Sequence, residues 1–138
     1  LAGALETRIA ERGLENHVRL LGFVPDEDLP AAYRAADLSI VPTQSFEGFG
    51  LITVESLASG TPVLVTPVGG LPEVVRGLSP DLVLAGSDAA ALAEGLTGVV
   101  HGARRLPDAG ACRAYTLENY TWASVARRTA EVYREALR

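Results

Sequence analysis

Apolar positions along this chain follow two spacings. Leu1, Ala4, Leu5 and Ile9 recur at helical intervals, and Gly13 followed by Leu14 is a stop signal, so a helix is predicted from Leu1 to Arg12. Val18 to Gly22 is a short apolar run closed by glycine, which predicts a strand. After Pro25, the acidic Asp26, Glu27 and Asp28 suit the positive start of a helix reaching about Ala36. The alternation then continues: strand Leu38 to Val41, helix Leu51 to Ser59, strand Val63 to Val65, short helix Pro72 to Val75, strand Leu82 to Leu84. Short strands without polar alternation are buried on both faces. Strands separated by helices predict the α/β class, an open parallel Rossmann-like sheet with right-handed crossovers. Beyond it the chain reads as helix only, over Asp88 to His101, Asp108 to Leu117 and Thr121 to Leu137, which makes a helical tail of about residues 107–138. Thr121 is placed to cap the last helix, where Val125, Thr129, Val132, Tyr133 and Leu137 form a stripe.

Composition narrows the function. At 138 residues and 48% apolar, the chain has the size and core of a single soluble domain, 1–138, and its longest apolar runs are far below the roughly 20 residues of a membrane span. A formal charge of -5 argues against a nucleic-acid partner, because such affinity requires clustered basic residues opposite many phosphates. One cysteine, Cys112, excludes an internal disulfide, and with only His17 and His101 beside it no metal-ligand spacing exists. All twelve basic residues are arginine, so any lysine a mechanism requires must come from elsewhere.

The chemistry-bearing stretch runs from Pro42 to Glu55, between the predicted strand Leu38 to Val41 and the following helix. Ligands of open parallel sheets bind outside the carboxyl ends of the strands, and Gly48 and Gly50 before a helix start let backbone N–H groups approach an anion. Two glycines alone fit a tight turn equally well. Glu47 and Glu55, eight residues apart, would be about 12 Å apart along a continuous helix, beyond the roughly 5 to 9.5 Å of paired hydrolase carboxylates. Two acceptors straddling an anion site suit a long ligand with hydroxyls at both ends, such as a sugar joined through phosphates to a ribose.

The run Glu47-Gly-Phe-Gly-Leu-Ile-Thr-Val-Glu55-Ser-Leu-Ala-Ser-Gly60-Thr-Pro-Val63, followed by Gly69-Gly-Leu-Pro-Glu73-Val-Val, resembles the glutamate-x7-glutamate signature of family-4 retaining glycosyltransferases with the two-domain GT-B fold. Leu21-Gly-Phe-Val24, Leu29-Pro-Ala-Ala-Tyr33-Arg-Ala-Ala-Asp37 and Tyr120-Thr-Trp122 extend the resemblance over nearly the whole chain. It implies that Glu47 binds the transferred sugar, that Gly48, Phe49, Gly50 and Leu51 present backbone N–H groups to sugar and phosphate, and that Glu55 grips the ribose. Phe23 and Val24 would meet the base. The implied substrate is a nucleotide-diphosphate sugar, UDP- or GDP-linked, with no cofactor and no metal. Gly69, Gly70 and Glu73 fit either a cleft lining or a glycine turn with an acidic helix start. Trp122 and Tyr133 read as packing residues, His17 and His101 as surface residues, and Asp37 as a turn residue.

Against the family pattern, the chain lacks two opening strands with the arginine and lysine that clamp the diphosphate, and it lacks the N-terminal acceptor domain. It is therefore expected to be an N-terminally truncated donor-binding domain without transfer activity of its own. In the strand order 3-2-1-4-5-6 the missing strands lie between Val18 to Gly22 and Leu38 to Val41, so either these two pair directly or the exposed edges promote a dimer or a strand swap. The resemblance implies a cytoplasmic location, with contact at the inner membrane face left to the full-length protein. Arginine without lysine suggests a GC-rich bacterial genome. A noncatalytic binding or assembly module that keeps the fold is the alternative. A dinucleotide-binding oxidoreductase domain is disfavoured because no glycine-x-glycine-x-x-glycine follows the first strand.

Overall fold

Ser39–Val41 (β1) and Val63–Val65 (β2) pair in parallel, in the register Ser39 with Val63, Ile40 with Leu64 and Val41 with Val65. The computed structural model, which describes residues 2–138, surrounds this ribbon with seven α-helices. They are α1 (Ala2–Glu11), α2 (Leu29–Arg34), α3 (Leu51–Ser59), α4 (Leu71–Arg76), α5 (Ala89–Val100), α6 (Ala109–Asn119) and α7 (Trp122–Ala136). The expected start of the first helix at Leu1 lies outside the described residues.

The predicted strand Leu82 to Leu84 is only partly realised. Pro80–Leu82 forms a single 3-10 turn, and Val83 makes one parallel bridge to Val65, reinforced by Leu84 N–H donating to the Val65 carbonyl at 2.8 Å. The 3-10 turn opened by Pro80 takes in Leu82, the first residue of the predicted strand, and leaves only Val83 and Leu84 free to pair. Arg104 holds this stretch from outside, donating to the Asp81 and Val83 carbonyls.

The run Val18 to Gly22 corrects the expectation more sharply. It forms no strand, and Leu21 is 63% exposed. Its apolar pattern marks residues suited to burial, but a strand exists only when a neighbour completes its hydrogen bonds. β1 does not supply that neighbour, so direct pairing of Val18 to Gly22 with Leu38 to Val41 does not occur.

The core lies between the ribbon and α3, α4 and α6. Val63, Val65, Leu57, Leu71, Val75, Leu82 and Cys112 are fully buried, and burial of each large aliphatic side chain contributes about 2 kcal/mol. Gly95 lets α5 approach the sheet, since a Cβ there would overlap the Leu84 side chain. Asp88, Asp108 and Thr121 cap α5, α6 and α7 by accepting from Ala91, Ala111 and Ser124 N–H.

The tail divides unexpectedly. α6 enters the core through Cys112 and Thr116, whereas α7 has no buried residue. Trp122 is 89% exposed and Tyr133 67%, so neither is the packing residue expected from the sequence. The stripe on α7 is a sound amphipathic pattern, but beyond Val125 it is largely uncovered, with Val132 63% and Leu137 88% exposed. His17, His101 and Asp37 are exposed as expected, with Asp37 in the bend between α2 and β1. Among the described residues no helix is long and apolar enough to cross a membrane.

Burial first, and the negative charge of Asp108 second, push the Cys112 thiol up to about 11 from 9.0. The folded state therefore holds this proton more tightly than the unfolded state. The resulting stability is complete below pH 9 and is lost as pH rises towards 11, on the order of 2 kcal/mol in total. Urea denaturation at pH 8 and pH 10.5 is expected to show a larger alkaline loss in the wild-type chain than in Cys112→Ala.

Candidate functional site

The loop from Pro42 to Gly50 leaves the carboxyl end of β1 and enters α3 through Gly50, which sits at φ 78° in the left-handed region. A side chain there would be strained, and its Cβ would overlap the buried Leu71. Phe46 also has a positive φ, 59°, unusual for a bulky residue, and its ring is fully exposed. α3 begins without an acidic residue in its first turn. The first N–H groups of a helix have no carbonyl partner within it, so this end carries unmatched positive dipole.

A second glycine turn supports the loop from beneath. Gly70 N–H donates to the Glu47 carbonyl at 3.3 Å. A Cβ on Gly69 would occupy the place of the Glu47 carbonyl, and one on Gly70 that of the Gly48 carbonyl. These glycines therefore set the height of the Glu47–Gly48 backbone. Glu73, in the first turn of α4, is exposed and faces a groove shared with Gly48, Phe49, Gly70 and Arg128.

The two glutamates have different settings. Glu47 is half-buried, and Thr43 Oγ1 donates to its Oε2 at 3.5 Å; the Thr43 carbonyl is held in turn by Thr66 Oγ1 at 2.6 Å. Glu55, in the second turn of α3, is exposed, and Tyr33 Oη donates to its Oε2 at 3.4 Å. Beside Glu55 opens a groove of about 390 Å³, lined by Asp26, Leu29, Pro30, Tyr33 and Ala58. Phe49 packs edge-on against Tyr120, with ring centroids 5.7 Å apart, which ties the loop to the end of α6. Tyr120 and Tyr115 both donate to the Val74 carbonyl at 3.0 Å, so α4 and the loop share one aromatic brace.

The structure thus brings Glu47, Gly48, Phe49, Gly50, Leu51 and Glu55 together in one loop and helix start. Phe23, 88% exposed, and Val24 are not in the lining of the groove beside Glu55, though Asp26, two residues further on, is. Sequence reasoning missed Tyr33, Thr43 and Tyr120 as neighbours of the motif. The available signal for Tyr33 was its spacing of four from Leu29, which reads as ordinary helix packing.

Thr53, in the first turn of α3, is fully buried, and its hydroxyl has no hydrogen-bond partner. An unpaired buried hydroxyl carries its desolvation cost uncompensated. Thr53→Val keeps the shape and removes that cost, so thermal denaturation is expected to show unchanged or raised stability, by up to about 1 kcal/mol.

A parallel ribbon with flanking helices and a glycine-rich loop entering a helix start is the architecture of a Rossmann-like α/β domain, whose ligands bind outside the carboxyl ends of the strands. The family model "Glycosyl transferases group 1" matches residues 2–114, and the chain belongs to this family. The D-inositol 3-phosphate glycosyltransferase of Thermobispora bispora is 39% identical over 128 residues, covering 93% of this chain and 30% of that protein. The sucrose-phosphate synthase of Thermosynechococcus elongatus superposes with a TM-score of 0.75 at 29% identity, over 96% of this chain and 33% of that one. HepE of Anabaena, crystallised with UDP and glucose, gives 0.77 at 25% identity, over 97% and 36%. The fold is that of GT-B glycosyltransferases, and the chain spans about a third of the length of the relatives it matches.

Proposed function

We propose that this chain holds the nucleoside diphosphate sugar donor of a retaining glycosyltransferase, and that the longer protein transfers the sugar to an acceptor hydroxyl. The observation that carries the reading is the Glu47–Glu55 segment: a helix start led by left-handed Gly50, seated on Gly69 and Gly70, with Glu47 in the loop before it and Glu55 in the second turn after it. Similarity to a solved protein that holds UDP and glucose supports it.

In this reading the diphosphate lies at the start of α3, where the N–H groups of Gly48 to Leu51 face the charge that grows on the leaving group as the glycosidic bond breaks. Donors fixed before reaction stabilise that charge without reorganising. Glu47 orients the sugar by accepting from its hydroxyls, and Glu55 accepts from the ribose. Phe23 and Val24 meet the base from the segment that leads into Asp26 at the groove. The acceptor comes from a second domain. The exposed apolar residues Val18, Leu20 and Leu21 fit further sheet neighbours in the longer protein.

Calorimetric titration of the chain with UDP and GDP tests the reading. Saturable binding of either is expected, and a folded chain that takes up neither nucleotide contradicts it.

A further inference from the structure

Glu55 is exposed on α3, and a free glutamate side chain there would sample several rotamers. To accept from two neighbouring ribose hydroxyls, its carboxylate must be turned one way. The groove beside it contains one hydroxyl aimed at that carboxylate, Tyr33 Oη, 3.4 Å from Oε2.

Tyr33 is itself fixed. Its ring is half-buried, and its backbone carbonyl accepts from Thr61 Oγ1 at 2.7 Å. Thr61 is buried, its N–H donates to the Ser56 carbonyl at 3.0 Å, and its carbonyl accepts from Ser56 Oγ at 2.9 Å. The end of α2 is thus fastened by short polar bonds to the end of α3, the helix that carries Glu55. The backbones that carry Tyr33 and Glu55 are thereby held at a fixed separation by a buried threonine's bonds.

We propose that Tyr33 is a positioning residue for the nucleotide, orienting the Glu55 carboxylate so that its remaining lone pairs face the ribose hydroxyls. The inference rests on the assignment of Glu55 to the ribose. The Tyr33 hydroxyl donates to Oε2, which leaves Oε1 and one further lone pair as acceptors. The Tyr33 proton is correspondingly held: burial first, then the charge and hydrogen bond of Glu55, raise its pKa. The hydroxyl therefore remains a donor throughout the neutral range.

The test is a double-mutant cycle, Tyr33→Phe, Glu55→Ala and the double variant, titrated with UDP and GDP and with their 2′,3′-dideoxy analogues, with circular dichroism checking each fold. Tyr33→Phe is expected to weaken the preferred nucleotide about three- to ten-fold. It should leave the dideoxy analogue unchanged, and the double variant should bind like Glu55→Ala. If Tyr33→Phe binds like wild type, or loses the same factor with the dideoxy analogue, Tyr33 is ordinary packing and the inference is overturned while Glu55 keeps its role. If Glu55→Ala itself binds like wild type, the ribose assignment falls, and this inference with it.

Discussion

Gly69→Ala is expected to destabilise the chain by about 2–4 kcal/mol and to abolish nucleotide binding together. Gly69 sits at φ 54°, where alanine is strained by about 1 kcal/mol. The larger effect is steric, because the added Cβ would fall on the Glu47 carbonyl, which is backbone and cannot rotate aside. Relieving such an overlap by shifting backbone costs about 1–3 kcal/mol. The loop that moves carries Glu47 and Gly48, so the proposed donor site is distorted by the same shift. Thermal denaturation should show a fall on the order of 10 °C. A Gly102→Ala control, with a similar φ of 71° and open space around its Cβ, isolates the conformational cost and should lower the transition far less. Equal losses in the two variants would mean that the contact with the loop contributes nothing.

The two glutamates are expected to separate by ligand. Glu55→Ala should weaken both UDP and UDP-glucose about 30-fold, since hydrogen bonds to a charged group contribute about 1.5–3 kcal/mol and the ribose is common to both. Glu47→Ala should leave UDP almost unchanged and weaken UDP-glucose by a similar factor, because in the proposed reading only the sugar reaches it. Calorimetry with the four combinations decides the matter, with the GDP-linked pair replacing the UDP pair if GDP binds more tightly. A Glu47→Ala chain that loses UDP itself would show that the residue holds the loop through Thr43 and not the sugar.

Much of the fold was legible because the signals were local. The helices from Leu51, Asp88, Asp108 and Thr121 appeared with nearly the predicted limits, each marked by a cap residue or glycine and by helical spacing. Val63 to Val65 was legible as a strand because a central strand is apolar throughout. The failures share one cause. Val18 to Gly22, Leu82 to Leu84 and the stripe of α7 all have the composition of buried elements, yet a strand or a packed helix face is a relation between two segments. The sequence shows one side of that relation.

The same division runs through the candidate site. The order of residues alone determined that Glu47 and Glu55 flank a glycine loop at a helix start, because strand, loop and helix are contiguous in the chain. Tertiary structure alone decided what supports them. Gly69 and Gly70 lie beneath the loop, Tyr120 braces Phe49, and Tyr33, twenty-two residues from Glu55, reaches its carboxylate. Periodicity reports which face a residue presents, and it holds no information on which distant residue meets that face. That pairing is settled only when the sheet, α2, α3 and α6 pack together, since close packing leaves room for one arrangement of their side chains.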